Sequence, residues 1–386
     1  MAKRKPIVDI VEDIVSEDVE KARLRAENNR LKRQYRAALK AVDDERTRSD
    51  AILDLSSVSS SGKNTRVKKP IKSEATAVIL LSDWHVEERV FPESVNNIND
   101  VSLEVIDRRL DELSSRIKFL IEHERQIASI DRIVVACLGD FISNIIHDDT
   151  AELAQLAPLA ATRWAGQRLR SIIDLAATLA KEVVVVTAVG NHGRSVMKPR
   201  IATEHDHSFE QNLYFTMAAN EQNKNVVWQV GESYINLLDV QGYRIAFHHG
   251  HGVKGNVHTG AAKAIAKWQQ TVPADLHCFG HHHQFAFLRN KYIANGSVIG
   301  YNAYALRICA EAEPPSQSLA VICHHRNECT RAIPIFCDSD LQESKQCQKR
   351  QSQLPLQQSK VGTSRASKKQ TKRSGKVSKK RAKQKL

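Results

Sequence analysis

"ATAVILLSDWH", residues 75–85, is an apolar, partly β-branched run that stops abruptly at Ser82, Asp83 and His85. A short continuous apolar run fits a strand buried on both faces, and such strands belong to sheets covered by helices. Two further runs repeat the design. "DRIVVACLGD" (131–140) ends at Asp140, and "EVVVVTAVGNHG" (182–193) ends in Asn191 and His192, with helix-forming stretches around 102–127 and 150–180 between the runs. This alternation predicts an α/β fold with a buried sheet. In open α/β sheets ligands sit beyond the carboxyl ends of the strands, so Asp83 with His85, Asp140, and Asn191 with His192 are delivered to one edge. A core histidine with satisfied hydrogen bonds would account for any one of these residues, but not readily for the same placement three times.

The second half adds histidines. "SYINLLDVQGYRIAFHHGHG" (233–252) predicts a hairpin turning at Gln241 and Gly242 and ending at His248, His249 and His251. After a helical stretch near 259–270 comes "ADLHCFGHHHQF" (274–285). Strand alternation would let His281 and His283 reach one site while His282 points away, and the same spacing relates Asp83 to His85. Asp, Asn and His donors without thiolate suit borderline to hard divalent ions such as manganese, iron or zinc.

Composition bounds the rest. The 386 residues, 41% of them hydrophobic, leave room for one large domain or two small ones with a sizeable core. No run of eighteen or more apolar residues occurs, and the N-terminal stretch turns acidic where a signal peptide needs an apolar core, so no membrane association is expected. The seven cysteines form no CxxC pair, which favours reduced thiols over a disulfide or zinc framework. The net charge of +13 is localised: from Ser344 onward there are 15 Lys or Arg and no acid, leaving 42 bases against 44 acids in residues 1–343. That Lys/Ser/Gln-rich tail cannot bury enough apolar surface to offset its ordering entropy, so disorder is expected over 338–386. A polycation of this kind fits nucleic-acid phosphates bound without sequence preference; the alternatives are a solubilising tail or another polyanion.

At the other end, nearly every residue from Lys21 to Arg46 is a good helix former, and Leu24, Asn28, Leu31, Tyr35, Ala38 and Val42 fall at alternating spacings of four and three. Residues 1–55 are therefore read as a helical segment, either a coiled coil that makes a homo-oligomer or a helix that is solvated or docked on the domain. Ser/Lys-rich residues 56–74 read as a linker, and 75–337 as the folded domain.

The ordered set "DWH", "GD", "GNH", "HGH" and "GHHH", each after an apolar strand, resembles the calcineurin-like metallophosphoesterases, whose signature is DxH, GD, GNH, H and GHxH. The resemblance covers about residues 75–337, and "ANGSVIG" (294–300) is similar to the NPGS turn that often follows the last motif in bacterial members. It implies an αββα sandwich of two mixed sheets flanked by helices, and a centre for two divalent ions, Mn2+ first, with Fe2+ or Zn2+ as alternatives. Asp83, His85 and His283 would hold one ion; Asn191, His249 and His281 would hold the other; Asp140 would bridge them. His192 matches the family's catalytic histidine, a general acid or a stabiliser of the phosphate.

Two departures stand out. Many members follow GNH with an acid where this chain has Gly193, leaving the group that orients His192 open, with Glu204 and Asp206 as candidates. The GD motif also lacks its usual acidic follower, and His147 either approaches the site or caps the next helix. Arg194 could offer its guanidinium to a phosphate or make a surface ion pair, His251 could face the substrate, and His248 reads as packing or as a support behind the ligands.

The resemblance implies a hydrolase acting on phosphate esters. With the basic tail it suggests a DNA or RNA nuclease of phage or bacterial type, similar to repair exonucleases, working in the cytoplasm of a bacterial or phage-infected cell. The alternatives are a phosphomonoesterase on protein or nucleotide, and an inactive nucleic-acid-binding accessory protein.

Overall fold

Burial along the first strand, β1 (Ser73–Leu81), shows how the layers are built. Ala77, Ile79 and Leu81 join one apolar cluster, while Val78 and Leu80 join another, and all five are fully buried. A strand apolar on both faces is therefore sandwiched, as its sequence requires. The structure, a computed structural model, describes residues 7–56 and 73–338. Most of the linker and the basic tail expected from the sequence lie outside the described residues.

The chain divides into two units, Met1–Pro70 and Ile71–Leu386. The described residues of the first form one helix, α1 (Ile7–Ser56), longer at both ends than the 21–46 stretch that propensity picks out. In the second, β1 is followed by α2 (Leu103–Glu124), β2 (Ala128–Cys137), α3 (Asp148–Leu153), α4 (Pro158–Leu179), β3 (Glu182–Thr187), α5 (Phe209–Ala219) and β4 (Val226–Gln229). The helical stretch expected over 150–180 is thus two helices. Ala157 is extended and Pro158 opens α4, a position where its missing N–H costs nothing. Next come β5 (Asn236–Val240), β6 (Tyr243–Phe247), α6 (Val257–Trp268), β7 (Leu276–Phe279), β8 (Ala286–Leu288), β9 (Tyr292–Ala294), α7 (Ala303–Arg307), β10 (Ser316–Cys323) and β11 (Glu328–Phe336).

One sheet has the order β11-β10-β1-β2-β3-β4, in which β1 to β4 run parallel and β10 and β11 antiparallel. The other has the order β5-β6-β7-β9-β8, with β6, β7 and β9 parallel. The hairpin turns where the sequence places it: Val240 pairs with Tyr243, and Gln241 and Gly242 both have positive φ, the geometry of a two-residue I′ turn.

Three apolar layers result. Val78, Leu80, Val134, Ala136 and Val186 of the first sheet meet Ile245, Phe247, Leu276 and Ile293 of the second. The outer face of the first sheet packs on Ile106, Leu110, Leu113 and Ile117 of α2 and on Leu169 and Ile173 of α4. Beyond the second sheet, Val257, Ala261 and Ile265 of α6 pack on Phe279 and Ala294. The fold is a helix–sheet–sheet–helix sandwich of two mixed sheets. Its parallel strands in both sheets aim five loops, after β1, β2, β3, β6 and β7, at a common edge. Among the described residues no helix is long and apolar enough to cross a membrane, and the described cysteines, five of them buried, are all free thiols.

Candidate metal centre

Within each sheet these loops are joined by backbone hydrogen bonds. Leu138 N–H donates to Leu81 at 2.7 Å, Asp83 N–H to Gly139 at 3.0 Å, Ala188 N–H to Cys137 at 2.8 Å and Gly280 N–H to His249 at 2.8 Å. The glycines of the GD and GNH motifs exist for this contact. A Cβ on Gly139 would stand 2.1 Å from Gly190 N, and one on Gly190 would stand 2.0 Å from Asp140 Oδ1.

Seven side chains converge there. Asp83, His85 and His283 form one group with ligand atoms within 4.8 Å of one another, and Asp140, His249 and His281 form a second. Asn191 joins the second, its Oδ1 lying 3.1 Å from His249 Nε2. Asp83, His85, Asp140 and His249 make a buried floor, while Asn191, His192, His281 and His283 are partly exposed at the rim. Of the twelve described non-glycine residues with positive φ, five are Asp83, His85, Asp140, His281 and His283. That concentration of an unfavourable backbone on candidate ligands is how strain is distributed at functional sites.

The same observation corrects the sequence argument about the histidine run. β7 ends at Phe279, so His281 and His283 are loop residues, and strand alternation is not what orients them. Left-handed turns send His283 to Asp83 (3.3 Å) and His281 to the Asp140 group, and His281 N–H donates to both Asp83 oxygens. His282 turns away against Phe279, ring centroids 6.0 Å apart. Asp83 and His85 likewise lie beyond the end of β1.

Hydrogen bonds fix the ligand atoms. His85 Nδ1 donates to Ser143 Oγ (2.8 Å), which donates to Glu88 Oε2 (2.7 Å), and Asn302 donates to the other Glu88 oxygen (2.8 Å). This leaves His85 Nε2 buried without a partner, and burial holds the ring neutral, its pKa lowered to about 3. A histidine with one nitrogen pinned and the other bare could offer the bare one to a metal ion. His249 Nδ1 donates to Leu138 O (2.8 Å), and Nε2 faces Asp140 Oδ2 (2.9 Å). Burial opposes charge on His249, but Asp140 outweighs it and lifts the pKa to about 10. Burial likewise opposes charge on Asp83, yet the hydrogen bond and charge of His283 bring it down to about 2. Burial also opposes charge on His283, while the hydrogen bond and charge of Asp83 raise its pKa, so both buried carboxylates draw positive charge towards them. Donor set, unpaired nitrogen and charge demand all fit divalent cations.

His192 stands beside this floor. Its N–H donates to Asp140 Oδ1 (2.8 Å), its ring meets His85 with centroids 5.0 Å apart, and its Nδ1 donates to the carbonyl of Ser143 (2.9 Å). The orienting group is therefore a backbone carbonyl. Glu204 instead pairs with His251 (3.0 Å) and Asp206 with His205 (3.4 Å). Because a carbonyl only accepts, Nδ1 keeps its proton and proton transfer is confined to Nε2.

The remaining sequence candidates are peripheral. His147 is exposed at the N-cap of α3, its ring 6.0 Å from that of His192, so it both caps and approaches. Arg194 donates to the carbonyls of Asn191 (2.5 Å) and Met197 (3.4 Å), bracing its loop. His251 lies 5.6 Å from His249 by ring centroids. His248 is fully buried, stacked on Phe279 and against His277 and Trp268, which is a packing role.

Sequence reasoning missed the supports. Glu210, in the first turn of α5, accepts from Phe141 N–H and Gly190 N–H, both at 2.8 Å, and so clamps the GD loop to the GNH loop. Gly193 leaves room for Glu210: a Cβ on Gly193 would lie 2.8 Å from Glu210 Cδ. Burial and the charge of Asp140 push the Glu210 carboxyl up to about 8. Asn144 completes the clamp, donating to the carbonyls of His192 (2.9 Å) and Arg194 (2.7 Å). In "ANGSVIG", Asn295 donates to Ser82 (2.9 Å) just ahead of Asp83. A cavity of about 340 Å³, lined by Ser73, Cys323, Arg289 and Arg331, lies at the opposite end of β1. A cleft of about 70 Å³ between His281–His283 and Tyr301, Tyr304 and Glu313 adjoins the candidate centre.

No family model matches the chain, and no curated protein does. Among solved structures it is similar to a hypothetical protein from Pyrococcus horikoshii, 11% identical over 71% of this chain and 94% of that one, TM-score 0.35. It is also similar to Vps29 from Entamoeba histolytica, described as complexed with Zn2+, 14% identical over 67% of this chain and 99% of that one, TM-score 0.28. A third is a conserved protein from Streptococcus pneumoniae described as a predicted phosphoesterase, 13% identical over 64% of this chain and 82% of that one, TM-score 0.26.

Proposed function

We propose that the chain is a metal-dependent phosphoesterase that hydrolyses phosphodiester bonds at a two-cation centre, acting as a nuclease. The observation that carries this reading is the pair of adjacent Asp/His groups, Asp83, His85, His283 and Asp140, His249, His281, on strained loops at one sheet edge. Asp83, His85 and His283 would hold one ion and Asn191, His249 and His281 the other. Asp140 would serve both ions, since its charge acts on His85 of the first group as well as on His249 of the second.

A bound cation pair would polarise the phosphate, help water attack near neutral pH and stabilise the leaving oxygen. The chain's own residues do the rest. His192, tethered through Nδ1, presents Nε2 at the open rim and hands a proton to the leaving alkoxide. The Ser143–Glu88 relay holds His85 in the tautomer that leaves Nε2 free. The nuclease reading is further supported by the 15 bases and no acid from Ser344 onward, which would keep a polyanionic substrate near the centre.

The test is turnover of bis(p-nitrophenyl) phosphate, p-nitrophenyl phosphate and DNA by metal-stripped protein resupplied with Mn2+, with and without the segment after Ser344. A nuclease cleaves the diester and DNA, and loses far more DNA turnover than diester turnover on truncation. Preference for the monoester, indifferent to truncation, would replace it with a phosphomonoesterase. Salt-sensitive DNA binding without turnover in any metal would leave an accessory protein.

A further inference from the structure

Along α1, Leu24, Leu31 and Ala38 alternate with Asn28, Tyr35 and Val42 to form a single stripe, and its large apolar members stand in solvent. Leu24 is 58% exposed, Leu31 54%, Tyr35 66% and Val42 67%. Spacings of four and three place the first set at d and the second at a of a heptad repeat. A solvated helix gains nothing from such a stripe, whereas a two-stranded coil buries it.

The flanking charges choose the occupant. Glu20 and Glu27 fall at g, and Arg25 and Lys32 at e. In two parallel, in-register copies, g of one heptad faces e of the next heptad on the other helix. Glu20 then meets Arg25 of the second copy and Glu27 meets Lys32, each pair occurring twice by symmetry. The next g positions, Gln34 and Ala41, face Leu39 and Arg46 without conflict. An antiparallel pair would set g against g, acid against acid. Asn28 agrees: only in the parallel register does its amide meet the same amide, the arrangement that fixes two strands and their alignment. Leu39, 52% exposed at e, widens the seam beside Tyr35 and Ala38.

We propose that α1 pairs with α1 of a second copy of this chain as a parallel, in-register coiled coil, making the protein a dimer. The experiment is sedimentation velocity of the full chain over a wide concentration range, beside charge variants. The expected mass is twice 43.3 kDa. The Glu20→Lys/Glu27→Lys variant turns four attractive contacts repulsive and should raise the dimer dissociation constant by about tenfold or more. Adding Arg25→Glu and Lys32→Glu restores every contact and should restore the dimer. Leu31→Asp should give a monomer whose melting transition for the second unit is unchanged. A wild-type monomer at all concentrations would overturn the proposal. So would a dimer sensitive to Leu31→Asp but not to the charge reversal, which would be antiparallel, or one indifferent to every variant, which would associate elsewhere.

Discussion

Replacing Glu210 removes a buried side chain that ties the GD loop to the GNH loop. In the Glu210→Ala variant the N–H groups of Phe141 and Gly190 lose acceptors at 2.8 Å inside a closed core. Each orphaned buried donor costs about 1–3 kcal/mol, so the variant should lose about 2–6 kcal/mol of stability. Glu210→Gln keeps the shape and one acceptor oxygen but sets an amide N–H against a backbone N–H, for about half that loss. Gly193→Ala approaches from the other side, because the new Cβ would meet Glu210 Cδ at 2.8 Å and push the carboxylate out. All three should weaken metal affinity by about 10- to 100-fold, the usual effect of losing a group that orients ligands.

The sign of the pH dependence follows from the raised carboxyl. Its pKa lies above the unfolded value of 4.5, at about 8, because burial and Asp140 disfavour the charge. Its contribution to stability is therefore full below pH 4.5 and is lost as pH rises towards 8. Glu210→Gln should flatten that part of the curve. Urea unfolding of the metal-free protein across this window, with calorimetric titration of Mn2+, makes the comparison. Stability of Glu210→Ala within about 0.5 kcal/mol of wild type, the range of an ordinary surface substitution, together with unchanged metal affinity, would refute the clamp.

Other outcomes can be stated as directly. His192→Ala should lower kcat by about 10²- to 10⁴-fold with the bound-metal count unchanged, checked by steady-state kinetics beside elemental analysis; lost metal would make His192 a ligand instead. His277 is buried under α6 with both ring nitrogens unpartnered, and burial lowers its pKa from 6.5 to about 4. Its neutral form is the folded one, so as pH falls from 6.5 to 4 stability should drop by up to about 3 kcal/mol. His277→Phe should reduce that slope in acid unfolding curves, and an identical slope would assign the effect elsewhere.

Much of the scaffold is legible because buried parallel strands leave a coarse signal. Three apolar runs ending in Asp83, Asp140 and Asn191 mark the strand ends, and the Gln241-Gly242 turn marks the hairpin. Strand alternation does not position His281 and His283: loop backbone with positive φ does. Glu210 is illegible for a physical reason: an acid in the first turn of a helix reads as complementing the helix dipole. Its real partners lie 20 and 69 residues away in sequence. Ser143 and Glu88 escape in the same way, because the relay to His85 joins loops after two different strands. The break before Pro158 was visible in the residue itself, yet the helix-forming residues on either side obscure it.

The most direct test of the central claim is the metal stoichiometry of stripped protein resupplied with Mn2+, read with turnover of bis(p-nitrophenyl) phosphate, for wild type and Asp140→Asn. The account predicts a two-ion wild type that turns over and a variant that loses both paired binding and activity. Near-normal turnover by Asp140→Asn, or full wild-type activity with a single ion bound, would contradict it.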